Sequence, residues 1–143
     1  MGKALSAVPF VHRLRVRFHE CDPQGVVFNA HYFAYFDVAL TEMWREAFGS
    51  YGEVVAGGTD VVVAEASATF RAPARFDDEL DVELRVDRLG TTSMAMAATI
   101  RRDGEQLVEG RMVHVFVDTA TMAKKAIPDH MRAALERYAS AVP

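Results

Sequence analysis

Residues 29–49 read NAHYFAYFDVALTEMWREAFG. Tyr32, Phe33, Tyr35, Phe36, Val38, Leu40, Met43, Trp44 and Phe48 cover most of a helical circumference. Only a stripe at Asp37, Thr41 and Arg45, with Glu42 and Glu46 beside it, stays polar. A helix apolar nearly all round belongs inside a core, wrapped by other elements. Asn29 is placed to cap its start, because its side-chain oxygen can accept from an orphan backbone N–H. Gly49 is placed to stop it, because glycine tolerates the left-handed conformation that ends helices. The spacing predicts a helix over 30–48, and in a chain of 143 residues the economical wrapper is a curved sheet.

The flanking sequence supplies that sheet. Over 10–19, Phe10, Leu14, Val16 and Phe18 share one parity, and Arg13, Arg15, Arg17 and His19 the other. Alternation of this kind predicts a strand with one buried and one basic face. The arginine row is expected to pair with acidic residues of a neighbouring strand. Beyond the helix, 61–71 reads as a strand, with Val62, Ala64, Ala66, Ala68 and Phe70 turned inward and the alanines small enough to let the helix approach. Leu80, Val82, Leu84 and Val86 alternate with acids and arginine; 93–101 alternates again, with Met94, Met96, Ala98 and Ile100 inward. Asp103-Gly104 is a hairpin signal, since both residue types accept positive φ. A last strand covers 107–117, and Pro128-Asp129 opens a short helix with Met131, Leu135 and Tyr138 on one face. The expected class is α+β, one antiparallel sheet curled round one helix, as a single domain over 1–143. A lone curved sheet leaves an edge and an outer face exposed, so association with a second copy is expected.

Composition narrows the function classes. Half the residues are hydrophobic and a quarter charged, the profile of a folded globular chain. The net charge of −4 offers no long-range attraction for nucleic acid or an anionic membrane. No run of about 18 apolar residues occurs, so no helical membrane span is expected. Residues 1–10, MGKALSAVPF, hold no apolar stretch of signal-peptide length. The single cysteine, Cys21, excludes an intrachain disulfide and suits a reducing cytoplasm. No metal is expected: His19, His31, Glu20 and Asp22 do not have the spacing of a known metal motif.

The chemistry concentrates in residues 19–32, HECDPQGVVFNAHY. An acid, Asp22, sits on an Asp-Pro-Gln-Gly turn seven residues before Asn29, where the helix begins. A helix start offers unpaired N–H groups and the positive end of the macrodipole. A carboxylate and such a clamp are the two parts an acyl-transfer site needs. The other reading of Asp22 is a simple turn former, which this residue type in this sequence also suits.

Asp22, Gly25, Asn29 and Tyr32 leading into the long helix, the stretch 72–78 (APARFDD), and Val115-Phe116-Val117-Asp118 together resemble a known family. The pattern, spanning about residues 11–138, is similar to hot-dog-fold acyl-coenzyme A thioesterases of the 4-hydroxybenzoyl-coenzyme A thioesterase group. It most resembles the bacterial branch associated with the Tol–Pal envelope system. The resemblance implies a hot-dog fold, hydrolysis of an acyl thioester to a carboxylic acid and free coenzyme A, and no cofactor beyond the coenzyme A of the substrate. It implies that Asp22 is the catalytic carboxylate, as nucleophile or as general base on water. It implies that the backbone amide at Asn29 polarises the carbonyl, and that the site lies between subunits of a homodimer or a dimer-of-dimers tetramer. Gly25, Phe28 and Tyr32 are the expected substrate-binding neighbours. Thr91, Thr92 and Ser93 occupy a turn where some relatives bind the nucleotide phosphates, and stand as expected coenzyme A contacts. The Tol–Pal branch often has a histidine at the position of Asn29 and a tyrosine at that of Phe18.

Glu65 is expected either to line the substrate pocket or to face a partner subunit. Cys21 reads as a packed bystander, since an adjacent carboxylate disfavours its thiolate. Two alternatives stand beside the thioesterase. A hydratase or dehydratase on acyl thioesters requires a histidine–acid pair. A non-catalytic acyl-coenzyme A binder requires only the pocket.

Overall fold

The computed structural model describes residues 9–139. The leader-peptide reading of residues 1–10 therefore falls almost wholly outside them. Among the described residues, strands β1 (Phe10–Arg15), β2 (Thr59–Phe70), β3 (Glu79–Leu89), β4 (Ser93–Arg102) and β5 (Glu105–Asp118) form one sheet in the order β1-β3-β4-β5-β2. Every neighbouring pair is antiparallel. Helix α1 (His31–Phe48) lies against one face, followed by a short α2 (Tyr51–Ala56), while α3 (Asp129–Glu136) closes the chain. The architecture is the expected α+β one.

The meander follows the alternation closely. Leu80, Val82, Leu84 and Val86 of β3 and Met94, Met96, Ala98 and Ile100 of β4 are all buried, as are Tyr35, Phe36, Ala39, Met43 and Trp44 of α1. Asp103 (φ 50°) and Gly104 (φ 84°) turn the β4–β5 hairpin in the left-handed region, as their residue types allow. Gly49 (φ 92°) ends α1 as expected. Met131, Leu135 and Tyr138 anchor the C-terminal segment to the core. The arginine row finds its acids across the β1–β3 ladder and just before it: Arg13 meets Asp81 at 3.0 Å, and Arg15 reaches Asp77 and Glu79 at 3.4 Å.

Four expectations are corrected. The first strand stops at Arg15 rather than His19, because the chain turns into a single 3-10 turn over Phe18–Glu20. Phe18 is thereby 78% exposed instead of buried. Asn29 does not cap α1; Ala30 holds that position with helical angles and no side-chain cap. Backbone bonds from His31 N to Phe28 O and Tyr32 N to Asn29 O close this start instead.

The 61–71 strand does not keep one parity. A bulge between Val63 and Glu65 switches faces, so Val61 and Val63 border one cavity with Leu40 and Trp44, while beyond it the Phe70 ring lies 5.5 Å from that of Tyr32. Ala64 and Ala66 are exposed, and the close approach of helix to sheet occurs at Gly110 of β5. A Cβ there would sit 2.5 Å from the Phe36 ring. Finally, α2 was not foreseen, although Ser50-Tyr51-Gly52-Glu53 carries its signal: Ser50 Oγ accepts from Glu53 N at 3.0 Å.

Candidate active site

The Asp22 segment folds as a narrow two-stranded ribbon with a tight turn at its tip. Phe28 N donates to Glu20 O, Cys21 bridges Val27, and Asp22 N donates to Val26 O at 2.8 Å. Gly25 N returns to Asp22 O at 2.9 Å, with Pro23 preset for the turn and Gly25 taking φ 80°. The ribbon is pinned to the loop after β2: Val27 N donates to Ala74 O, and Val26 bridges Arg75. This is the structural part played by the 72–78 stretch.

Both readings of Asp22 hold at once. Its Oδ1 accepts from Gln24 N at 2.8 Å, the turn-forming bond. Its Oδ2 takes no hydrogen bond among the described residues. Asp22 lines a cavity of about 350 Å³ together with Asn29, Tyr32, Val27, Phe70 and Pro73. The floor at Tyr32 is fixed, since its hydroxyl accepts from Ala74 N at 3.1 Å and its ring packs edge-on to Tyr35. Burial raises the Tyr32 phenol above its ordinary range, so it stays protonated at neutral pH.

At the helix end of the cavity, the amides of Asn29 and Ala30 donate to no acceptor among the described residues. They sit where the α1 macrodipole is positive. The Asp22 carboxyl group, Asn29 with its unused N–H, and an apolar wall thus border one space. That arrangement can hold a carbonyl oxygen at the donor while an oxygen nucleophile works from the other side.

The remaining expected site residues lie elsewhere in the protomer. Gly25 shapes the ribbon tip without lining the cavity, and Phe28 is 47% exposed beside His31. Glu65 sits on β2 with its side chain out in solvent, 3.8 Å from Arg111. Thr91, Thr92 and Ser93 form the β3–β4 turn, where Thr92 O accepts from Phe116 N and Thr91 O from Ile127 N. None of these three lines the Asp22 cavity within one protomer. Arg71, Ala72 and Pro73 do line it, although the sequence offers Arg71 only as the end of a strand and Ala72 and Pro73 only as part of the shared 72–78 stretch. Among the described residues no three His, Cys, Asp or Glu gather to hold a metal ion, and no helix is long and apolar enough to cross a membrane. His114, buried on β5, has neither ring nitrogen hydrogen-bonded, so it forms no pair with an acid.

Comparisons with known proteins show the family and the fold. Residues 16–135 match the family model of the thioesterase-like superfamily. The acyl-CoA thioester hydrolase YbgC of Escherichia coli O6:H1 is 31% identical over 116 residues, covering 80% of this chain and 87% of that protein. A hypothetical protein from Thermus thermophilus superposes with a TM-score of 0.83 at 32% identity, over 90% of this chain and 98% of that one. A thioesterase superfamily protein from Jannaschia sp. CCS1 superposes with a TM-score of 0.89 over 99% of both chains, and at 24% identity that likeness concerns the fold. With a hot-dog architecture and a family match running from the end of β1 to α3, the chain belongs to the thioesterase-like superfamily.

Proposed function

We propose that the protein is an acyl-coenzyme A thioesterase that adds water across the C–S bond of an acyl thioester, releasing a carboxylic acid and free coenzyme A. One observation carries this reading: Asp22, with an unbonded Oδ2, shares a cavity with the open amide end of α1. The Asn29 N–H donates to the carbonyl oxygen and stabilises its developing negative charge. Asp22 either attacks the carbonyl carbon, expelling coenzyme A thiolate and leaving an anhydride for water to cleave, or removes a proton from the attacking water. No cofactor enters either route. Phe70 and Tyr32 form the apolar wall for the acyl group.

The chain is assigned to the 4-hydroxybenzoyl-coenzyme A thioesterase group by its Asp22, Gly25, Asn29 and Tyr32 pattern, and to the cytoplasm, where acyl-coenzyme A is made and used. Its working form is a homodimer or a tetramer of paired dimers. The support is β2, an edge strand whose Val62, Val63 and Phe70 are 37, 51 and 49% exposed. Such a partner would bring Glu65 and the 91–93 turn of one protomer within reach of the other's site.

A panel of aliphatic and aromatic acyl-coenzyme A esters, followed with a thiol-trapping reagent, tests the activity. One equivalent of thiol per acid released, with many turnovers per site, is the expected result. Calorimetric binding without turnover would make the protein a binder instead.

A further inference from the structure

We infer that Glu20 is a positioning residue for Asp22, coupling the acid-bearing ribbon to helix α1 through Tyr35. This inference rests on the thioesterase reading for its kinetic consequence, but its structural basis is independent. Glu20 is a charged residue only 8% exposed. Its Oε1 accepts from the Tyr35 hydroxyl at 2.8 Å and from Arg17 N at 2.8 Å. Its own carbonyl accepts from Phe28 N at 2.9 Å, which ties the neck of the 20–28 ribbon. One residue therefore joins three things: the strand-to-turn exit at Arg17, both arms of the ribbon, and the second turn of α1.

The burial supports a dedicated role, since a buried glutamate without a partner is unfavourable. Its desolvation cost is offset by two directed donors. Tyr35 is itself 3% exposed, and burial together with the Glu20 bond holds its phenol far above its ordinary range. It therefore stays protonated and able to donate at neutral pH. Tyr35 also packs edge-on to Tyr32, whose hydroxyl holds Ala74 on the opposite side of the ribbon. Glu20 does not line the cavity, so its effect on chemistry passes through the placement of Asp22 relative to the Asn29 amide. Small misplacements between reacting groups are costly: about 1 Å can lower a rate by roughly 100-fold.

Tyr35→Phe removes only the donor and keeps the ring, and is the primary variant. It should lower kcat by roughly tenfold to 100-fold, with KM within about twofold of wild type and unchanged substrate affinity in an Asp22→Asn background. Glu20→Gln, which keeps an acceptor at Oε1, should retain most of kcat, whereas Glu20→Ala should not. In an Asp22→Ala background, Tyr35→Phe should change residual hydrolysis no further, because both act through one group. Additive losses, or a Tyr35→Phe enzyme with wild-type kcat, would overturn the inference. Amide hydrogen exchange supplies an arm that needs no activity. In Tyr35→Phe the Gln24 and Phe28 amides should exchange faster by roughly tenfold or more, while β3 and β4 amides stay protected. Unchanged ribbon protection would also overturn the inference. An inactive wild type with the expected exchange change would instead count against the thioesterase reading alone.

Discussion

At the residue scale, Asp22 divides its two oxygens between structure and chemistry. Oδ1 holds the turn through Gln24 N, which fixes the carboxylate plane without using Oδ2. His114 is the opposite case, a buried polar group with no hydrogen-bond partner among the described residues. Desolvation pulls its imidazole down from 6.5 to about 4. Between these values the unfolded chain binds a proton that the folded chain refuses, so acid favours unfolding. The contribution of a neutral His114 is complete above about pH 6.5, declines as the pH falls and is gone below about pH 4, a span on the order of 3 kcal/mol. Urea unfolding of wild type and His114→Leu at pH 7.5 and pH 4.5 measures it. The variant should lose distinctly less stability on acidification; parallel losses would contradict the assignment.

At the element scale, α1 meets the sheet where β5 has no side chain. Gly110 faces Phe36, which is fully buried and has nowhere to retreat. Gly110→Ala should destabilise the protein by about 1–3 kcal/mol through overpacking. Thermal unfolding would register this as a fall of several degrees, and an unchanged Tm would contradict the packing. The same elements mark how far the sequence could be read. α1 and the β3–β4–β5 meander were legible because their apolar residues keep one period from end to end. β2 was legible as a strand but not in its faces, because the bulge after Val63 adds a residue and reverses them without any Gly or Pro to announce it. The start of α1 was legible in place but not in manner. Asn29 is a good cap by residue type, yet the backbone bonds from His31 and Tyr32 already close that turn. Asp22 and the helix tip were both named from the sequence. Their shared cavity, and the pinning of the ribbon by Ala74 and Glu20, depend on contacts between separate segments, Val27 with Ala74 and Glu20 with Tyr35, which no local pattern encodes.

At the scale of the whole molecule, the sheet ends in two edges, and β2 is the one with exposed apolar side chains close to the proposed site. An unpaired edge of this length invites another strand. If two copies pair along β2, a cation introduced at its centre places like charges together and should separate them. Ala66→Lys is therefore expected to sediment as a monomer and to lose thioester hydrolysis while keeping its circular dichroism. Retention of a dimer with full activity would exclude β2 as the interface.

The central claim is that the Asp22 carboxylate performs the hydrolysis at the open end of α1. Asp22→Asn keeps the size and the Oδ1 acceptor for Gln24 N but removes the charge. With the acyl-coenzyme A ester that wild type turns over best, its kcat should fall by roughly 100-fold to 10,000-fold, with unfolding and sedimentation matching wild type. Turnover within a few-fold of wild type by this folded variant would contradict the account.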